Sequence, residues 1–184
     1  GATLGIVGFG RIGRSLAAKA VGFGMNILTY DPLLDAGSDV DAASAVTLDE
    51  LLKQSDFVSL HAPLIPATEN MISTSELAKM KSGSIIVNCS RGGLIDEDAL
   101  AASLASGHIA GAGLDVVEPT PPEPSSVLLE QDNVIITPHT AFFSQASTLE
   151  LERRTAQEAI RVLNGELPEN LINPDVLGKA RSGI

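Results

Sequence analysis

The chain has 184 residues, 44% apolar and 19% charged, a balance that suits a globular domain with a sizeable core and not a disordered polymer. A formal net charge of -11 without any lysine or arginine cluster argues against nucleic-acid binding, and no apolar run approaches the roughly 20 residues of a membrane helix. The single cysteine, Cys89, excludes an internal disulfide and fits a reducing, cytoplasmic compartment, while His61, His108 and His139 lie too far apart in sequence to give metal-ligand spacing. No secretory leader is visible, and the opening at Gly1, almost inside a strand, reads as a fragment or a trimmed chain.

Short β-branched apolar runs alternate with amphipathic stretches along the chain. Residues 3–7 predict a strand, 11–23 a helix and 26–30 a second strand. Residues 47–54 predict a short helix with Thr47 as N-cap and Asp49 and Glu50 in its first turn. A strand over 56–60, a helix over 75–80 that stops by Gly83, and a strand over 84–88 follow. The helix over 96–105 carries acids at its start and Gly107 after its end. Strands at 109–116 and 134–137 flank a proline-rich loop, 118–124. A long final helix, 144–163, places Leu149, Ala156, Ile160 and Leu163 on one face and ends at Gly165. Strands separated by helices make right-handed βαβ units, so the expected fold is α/β, doubly wound around a mostly parallel sheet covered on both faces. The domain is expected to span residues 1–165, with a loop-like tail at 166–184.

Gly8-Phe9-Gly10-Arg11-Ile12-Gly13 follows the first strand and opens the first helix. That is the context a dinucleotide loop needs. Gly8 permits the tight turn, Gly10 admits a pyrophosphate to the backbone, Gly13 lets helix pack on strand, and the amides around Arg11 and Ile12 face the anion. Asp31 ends the second strand, 18 residues after Gly13, where an acid accepts from the ribose hydroxyls and repels a 2′-phosphate, so NAD is favoured over NADP. The alternative for Asp31 is a turn acid before Pro32. Three further segments lie at carboxyl ends of later strands: Asn88-Cys89-Ser90-Arg91-Gly92-Gly93, Gly113-Leu114-Asp115-Val116 and Thr137-Pro138-His139-Thr140-Ala141. Together they offer an arginine, a carboxylate and a histidine. His108 lies outside any motif and reads as a surface residue; Cys89 reads as packing, not as a nucleophile; Asp96, Glu97 and Asp98 read as helix-start charges.

These motifs, with Tyr30-Asp31-Pro32 and Leu60-His61-Ala62-Pro63-Leu64, occur in order from Gly5 to about Pro174, and in them the chain resembles the cofactor domain of the D-isomer-specific 2-hydroxyacid dehydrogenases. The stretch from His139 to Ser144 most resembles the branch containing the C-terminal binding proteins, NAD-binding co-repressors, and their bacterial enzyme relatives. The resemblance implies that Arg91 clamps the substrate carboxylate, that His139 is the acid–base group, and that Asp115 holds the nicotinamide carboxamide. It implies a cofactor groove lined by Tyr30, His61, Ala62, Pro63, Thr68, Cys89, Ser90, Arg91, His139 and Ala141, and no metal. Where the family has a glutamate bonded to the catalytic histidine, five residues after the aspartate, this chain has Thr120. The implied partners are a small 2-oxo or 2-hydroxy acid and a second copy of the protein, with no membrane and no nucleic acid. The substrate domain of the family is expected outside this chain. A non-enzymatic, NAD(H)-responsive scaffold is the alternative.

Overall fold

The computed structural model describes residues 1–179; the end of the expected tail, 180–184, lies outside them. The elements run β1 (Thr3–Val7), α1 (Arg11–Ala20), β2 (Asn26–Tyr30), β3 (Asp39–Val40), β4 (Ala43–Ala45), α2 (Leu48–Gln54), β5 (Phe57–Leu60), α3 (Thr74–Lys79), β6 (Ser84–Asn88), α4 (Glu97–Ala105), β7 (Ile109–Leu114), β8 (Val134–Ile136) and α5 (Gln145–Leu163). The strands form one sheet in the order β3-β4-β2-β1-β5-β6-β7-β8. All neighbours are parallel except β3 and β4. The chain therefore starts in the middle of the sheet, winds outward through β2 to β4, then crosses β1 and winds the other way, which makes the β1/β5 boundary the topological switch point.

Alternation along β1 divides the core. Leu4 and Ile6 join Phe9, Ala17, Ala20 and Ile27 in the cluster under α1, while Val7 joins the larger cluster under α2, α3 and α4, with Leu51, Leu52, Leu77, Leu100 and Leu104. Ile6, Leu51, Leu52 and Leu100 are fully buried, each burial contributing roughly 1.5–3 kcal/mol. Thr47 caps its helix as read, in a reciprocal capping box with Glu50, while Asp96 and Ser144, read as the first residues of their helices, prove to be N-caps that accept from the Ala99 and Ser147 amides.

Three departures from the sequence reading have physical causes. The stretch 11–23 is α-helical only to Ala20 and tightens into a 3-10 turn, closed by Gly24 in the left-handed region. The β3–β4 hairpin was not anticipated, because two- and three-residue strands are too short to show alternation; Asp41, at φ 54°, makes its turn. The sheet is not covered throughout: β8 is an edge strand and Ile135 is 72% exposed.

The chain divides into two compact units, Gly1–Ala141 and a second from Phe142 onward. The helix α5, which the sequence placed inside the first domain, counts with the second unit. None of its residues is buried, and its expected apolar face, Leu149, Ala156, Ile160 and Leu163, is exposed.

Candidate active site

The principal candidate side chains of the first unit follow parallel strands, so they line one edge of the sheet. Strand order sets their sequence along it: Asp31 after β2, the glycine loop after β1, His61 after β5, Arg91 after β6, Asp115 after β7 and His139 after β8. Residues scattered over more than a hundred positions are thus gathered by topology alone.

The three glycines of the loop have different reasons to be glycine. Gly8 sits at φ 91°, and a Cβ there would lie 2.7 Å from the His61 carbonyl carbon. Its amide donates to Tyr30 O at 2.8 Å. A Cβ on Gly13 would lie 2.4 Å from Gly8 O, so this glycine lets α1 sit tightly against β1. A Cβ on Gly10 would meet nothing within 4 Å. Gly10 is the N-cap of α1, offers no side-chain cap to the first amides, and leaves Arg11 and Ile12 exposed beside it. Uncapped amides at the positive end of a ten-residue helix, with open space over Gly10, fit an anionic pyrophosphate.

Asp31 braces this rim. Its carboxylate accepts from the Phe9 amide at 2.8 Å and from the Leu33 amide at 3.0 Å, fixing the glycine loop to the end of β2. Two carboxylate oxygens offer about four acceptor sites, so acceptor capacity remains for hydroxyl donors. Tyr30 contributes its carbonyl to Gly8 and packs its ring against the core.

The wall across the switch point is the end of β5. Burial pushes the His61 imidazole below its ordinary value, so it is neutral at neutral pH and adds no positive charge; its Nε2 lies 2.9 Å from Ser59 Oγ. Ala62 packs against the larger core cluster. The Thr68 hydroxyl donates to Pro63 O at 2.6 Å and accepts from the Ile65 amide at 2.9 Å, so it builds the loop that follows His61.

The turn after β6 is held from beneath. Asn88, 1% exposed, accepts from the Ser90 amide at 2.9 Å and donates through Nδ2 to Arg91 O at 2.8 Å. The Ser90 hydroxyl donates to Leu60 O at 2.7 Å, tying the turn to β5. A Cβ on Gly92 would lie 2.4 Å from the Val117 carbonyl carbon, so the turn presses on the start of the proline-rich loop. The exposed Arg91 side chain donates to Ser90 O. Cys89 is exposed, so it is not packed away as the sequence suggested; desolvation by the surrounding protein and the nearby Asp115 charge push its thiol up, which keeps it protonated.

Asp115, 4% exposed, organises the loop that carries His139. Its carboxylate accepts from Thr137 Oγ1 at 2.5 Å, the Thr140 amide at 2.8 Å and the Ala141 amide at 2.9 Å. Burial alone would raise its pKa, but these hydrogen bonds and the His139 charge outweigh burial and hold the carboxyl below its ordinary value. His139 is exposed at φ 53°, and its amide donates to Asp115 O at 3.0 Å and Thr137 O at 2.9 Å. Thr120 and Asp115 line one cleft of about 370 Å3 with Pro121, Ile136, Thr137 and Pro138. The Thr120 hydroxyl donates to Val117 O at 2.5 Å.

Sequence reasoning included Asn88 and Thr137 in its segments but missed the role of each. A buried polar residue at a strand's last position, before a turn, is the signal that could have found Asn88. A larger cleft, about 500 Å3, is lined by Glu69, Asp96, Glu97, Asp98, Glu118 and Glu123, a charge unsuited to a dinucleotide or a carboxylate substrate. Among the described residues no helix is long and apolar enough to cross a membrane.

Residues 1–141, the whole first unit, match the sequence profile described as D-isomer specific 2-hydroxyacid dehydrogenase, NAD binding domain. Glyoxylate reductase of Korarchaeum cryptofilum (strain OPF8) is 44% identical over 178 residues, 96% of this chain and 54% of that protein. Hydroxypyruvate reductase of Thermotoga maritima is 47% identical over 170 residues, 91% of this chain and 53% of that protein. The crystal structure of D-lactate dehydrogenase with NAD+ from Lactobacillus jensenii superposes with a TM-score of 0.84 at 31% identity, covering 93% of this chain and 55% of that one. The chain spans about half the length of the curated relatives it matches.

Proposed function

The chain belongs to the D-isomer specific 2-hydroxyacid dehydrogenase family, as its NAD-binding domain, and on that premise we propose that the protein carrying it transfers a hydride between NAD(H) and a small 2-hydroxy or 2-oxo acid of D configuration. The observation that carries the reading is the single rim on which an open, anion-accepting glycine loop, an arginine turn and a histidine loop follow one another in strand order. NAD supplies the hydride chemistry when bound. The chain supplies the rest: amides of α1 for the pyrophosphate, Asp31 for the ribose, and a guanidinium fork on Arg91 for the substrate carboxylate and its 2-oxo group. His139 gives a proton to the substrate oxygen in reduction and takes it back in oxidation. The substrate pocket is completed by the family's other domain. We extend the proposal to a cytoplasmic homodimer.

A second reading is favoured by one observation. Thr120 stands where the family has the glutamate that bonds the catalytic histidine; it carries no charge, and its hydroxyl is turned onto Val117 O. A protein that keeps the cofactor seat but drives little turnover is an NAD(H)-responsive scaffold, the mode of the co-repressor branch that the stretch from His139 to Ser144 resembles.

Arg91→Lys in the whole protein tests the main reading. It should cost about 2–5 kcal/mol of transition-state stabilisation with glyoxylate, pyruvate or hydroxypyruvate, because lysine loses the bidentate geometry, while NADH affinity stays within about threefold. Near-normal kcat/KM in the variant removes Arg91 from the mechanism. NADH binding by a wild-type protein that reduces none of these acids favours the scaffold.

A further inference from the structure

We infer that Asn88 is the positioning residue for Arg91, fixing the turn that presents the guanidinium; the consequence for catalysis rests on the reading of Arg91 as the substrate clamp. Asn88 is the last residue of β6, and it is one of few polar side chains in the interior of the first unit. A polar side chain held out of water needs partners, and here both ends of the amide have one. Oδ1 accepts from the Ser90 amide at 2.9 Å, and Nδ2 donates to Arg91 O at 2.8 Å. The orientation of the amide follows from those partners: a backbone N–H requires the oxygen, and a backbone carbonyl requires the nitrogen. The side chain thus spans the turn from its first residue to its last and stands in for the ladder partners that the chain loses on leaving β6.

The same residue ties this turn to the next strand. Asn88 O accepts from the Asp115 amide at 2.9 Å. Asp115 in turn gathers Thr137, Thr140 and Ala141 on its carboxylate and takes the His139 amide on its own carbonyl. Two adjacent buried polar residues, at the ends of β6 and β7, therefore hold the arginine turn and the histidine loop on one backbone frame. Arg91 does not brace its own turn: its guanidinium donates to the carbonyl of its neighbour, Ser90, and Gly92 and Gly93, which have no side chains, follow. Ser90 Oγ pins the middle of the turn to Leu60 O, and Asn88 pins its exit.

Aspartate is the informative substitution. Asn88→Asp keeps the acceptor for the Ser90 amide and replaces the donor by an oxygen facing Arg91 O. Ionised, that oxygen repels the carbonyl; protonated, it donates to it and restores the staple. The variant should therefore be impaired at neutral pH and recover as pH falls, and Asn88→Ala should not recover. Misplacing a substrate-orienting group by an ångström costs up to about a hundredfold in rate.

The test uses the whole protein and three readouts: amide hydrogen exchange at Ser90, Arg91 and Gly92, NADH affinity by fluorescence titration, and kcat and KM for hydroxypyruvate from pH 5 to pH 8. We expect Asn88→Ala to exchange faster at these amides, to bind NADH within about threefold of wild type and to lose about tenfold to a hundredfold in kcat/KM. We expect Asn88→Asp to match it at pH 8 and to approach wild type at pH 5, relative to the wild-type profile. Unchanged exchange in both variants overturns the inference, as does a loss that appears equally in NADH affinity or that ignores pH in Asn88→Asp. If wild type itself reduces no 2-oxo acid, the functional reading fails, and the exchange data alone decide whether Asn88 holds the turn.

Discussion

Replacing each glycine of the loop by alanine, one at a time, separates what the fold needs from what the cofactor needs. Gly8→Ala places a methyl 2.7 Å from the His61 backbone and holds an L-residue at φ 91°. The left-handed conformation costs about 1–2 kcal/mol and the clash with immovable backbone about 1–3 kcal/mol more. Gly13→Ala places its methyl 2.4 Å from Gly8 O and should cost about 1–3 kcal/mol by overpacking. Gly10→Ala meets nothing and keeps an ordinary φ of -77°. It gives up the N-cap preference of glycine over alanine and gains by restricting the unfolded chain, effects of about 1 kcal/mol or less that oppose each other. Its methyl instead fills the space through which a pyrophosphate reaches the α1 amides, so NADH affinity should fall by about tenfold or more, equivalent to about 1.4 kcal/mol. Urea denaturation without cofactor reads the first effect and NADH fluorescence titration the second. The reasoning is wrong if Gly10→Ala destabilises the apo protein as much as Gly8→Ala, or if it binds NADH as tightly as wild type.

Calorimetry should show tighter binding of NADH than of NADPH, with the gap narrowed in Asp31→Ala; the same variant should be less stable without cofactor by about 1–3 kcal/mol, because the Phe9 and Leu33 amides lose a charged acceptor. Asp115→Asn should be destabilised by about 2–4 kcal/mol near neutral pH, since its carboxamide nitrogen must face either the Ala141 amide or the Thr137 hydroxyl and Thr140 amide, donor against donor. The sign with pH follows from a depressed folded-state pKa: the wild-type advantage is complete above the ordinary aspartate value of 3.8 and shrinks as pH falls through the lower folded value, so a stability gap that persists unchanged to pH 2 counts against the assignment. Thr120→Glu should raise the reductase rate near neutral pH by at least about tenfold and extend activity to higher pH, because a carboxylate beside an imidazole favours its protonated form; an unchanged pH–rate profile would mean that position 120 does not communicate with His139.

The alternation of apolar runs with capped, amphipathic stretches was enough to place thirteen-element architecture on paper but for β3 and β4, whose two and three residues carry no period to read. The glycine loop, Asp31, Arg91, Asp115 and His139 were legible because each follows a strand, and in a parallel sheet every strand delivers its next residue to the same edge. Their supports were not legible. Asn88 looks like any polar residue before a turn until its amide is seen to span that turn, and Asp115 could be named as a ligand without any sign that three donors of the His139 loop converge on it. The loop's spacing was enough to give its three glycines separate jobs, but the contacts behind them, the His61 backbone at Gly8, Gly8 O at Gly13 and open space at Gly10, are visible only in the tertiary structure. The final helix shows the same limit from the other side. Its period was correct from Gln145 to Leu163, but periodicity tells which side chains share a face and not what covers it, and Leu149, Ile160 and Leu163 are exposed. Local chemistry set the elements of this protein, because caps, turns and periods act over a few residues; which side chains became partners was decided by contacts between segments tens of residues apart, which only the tertiary structure brings together.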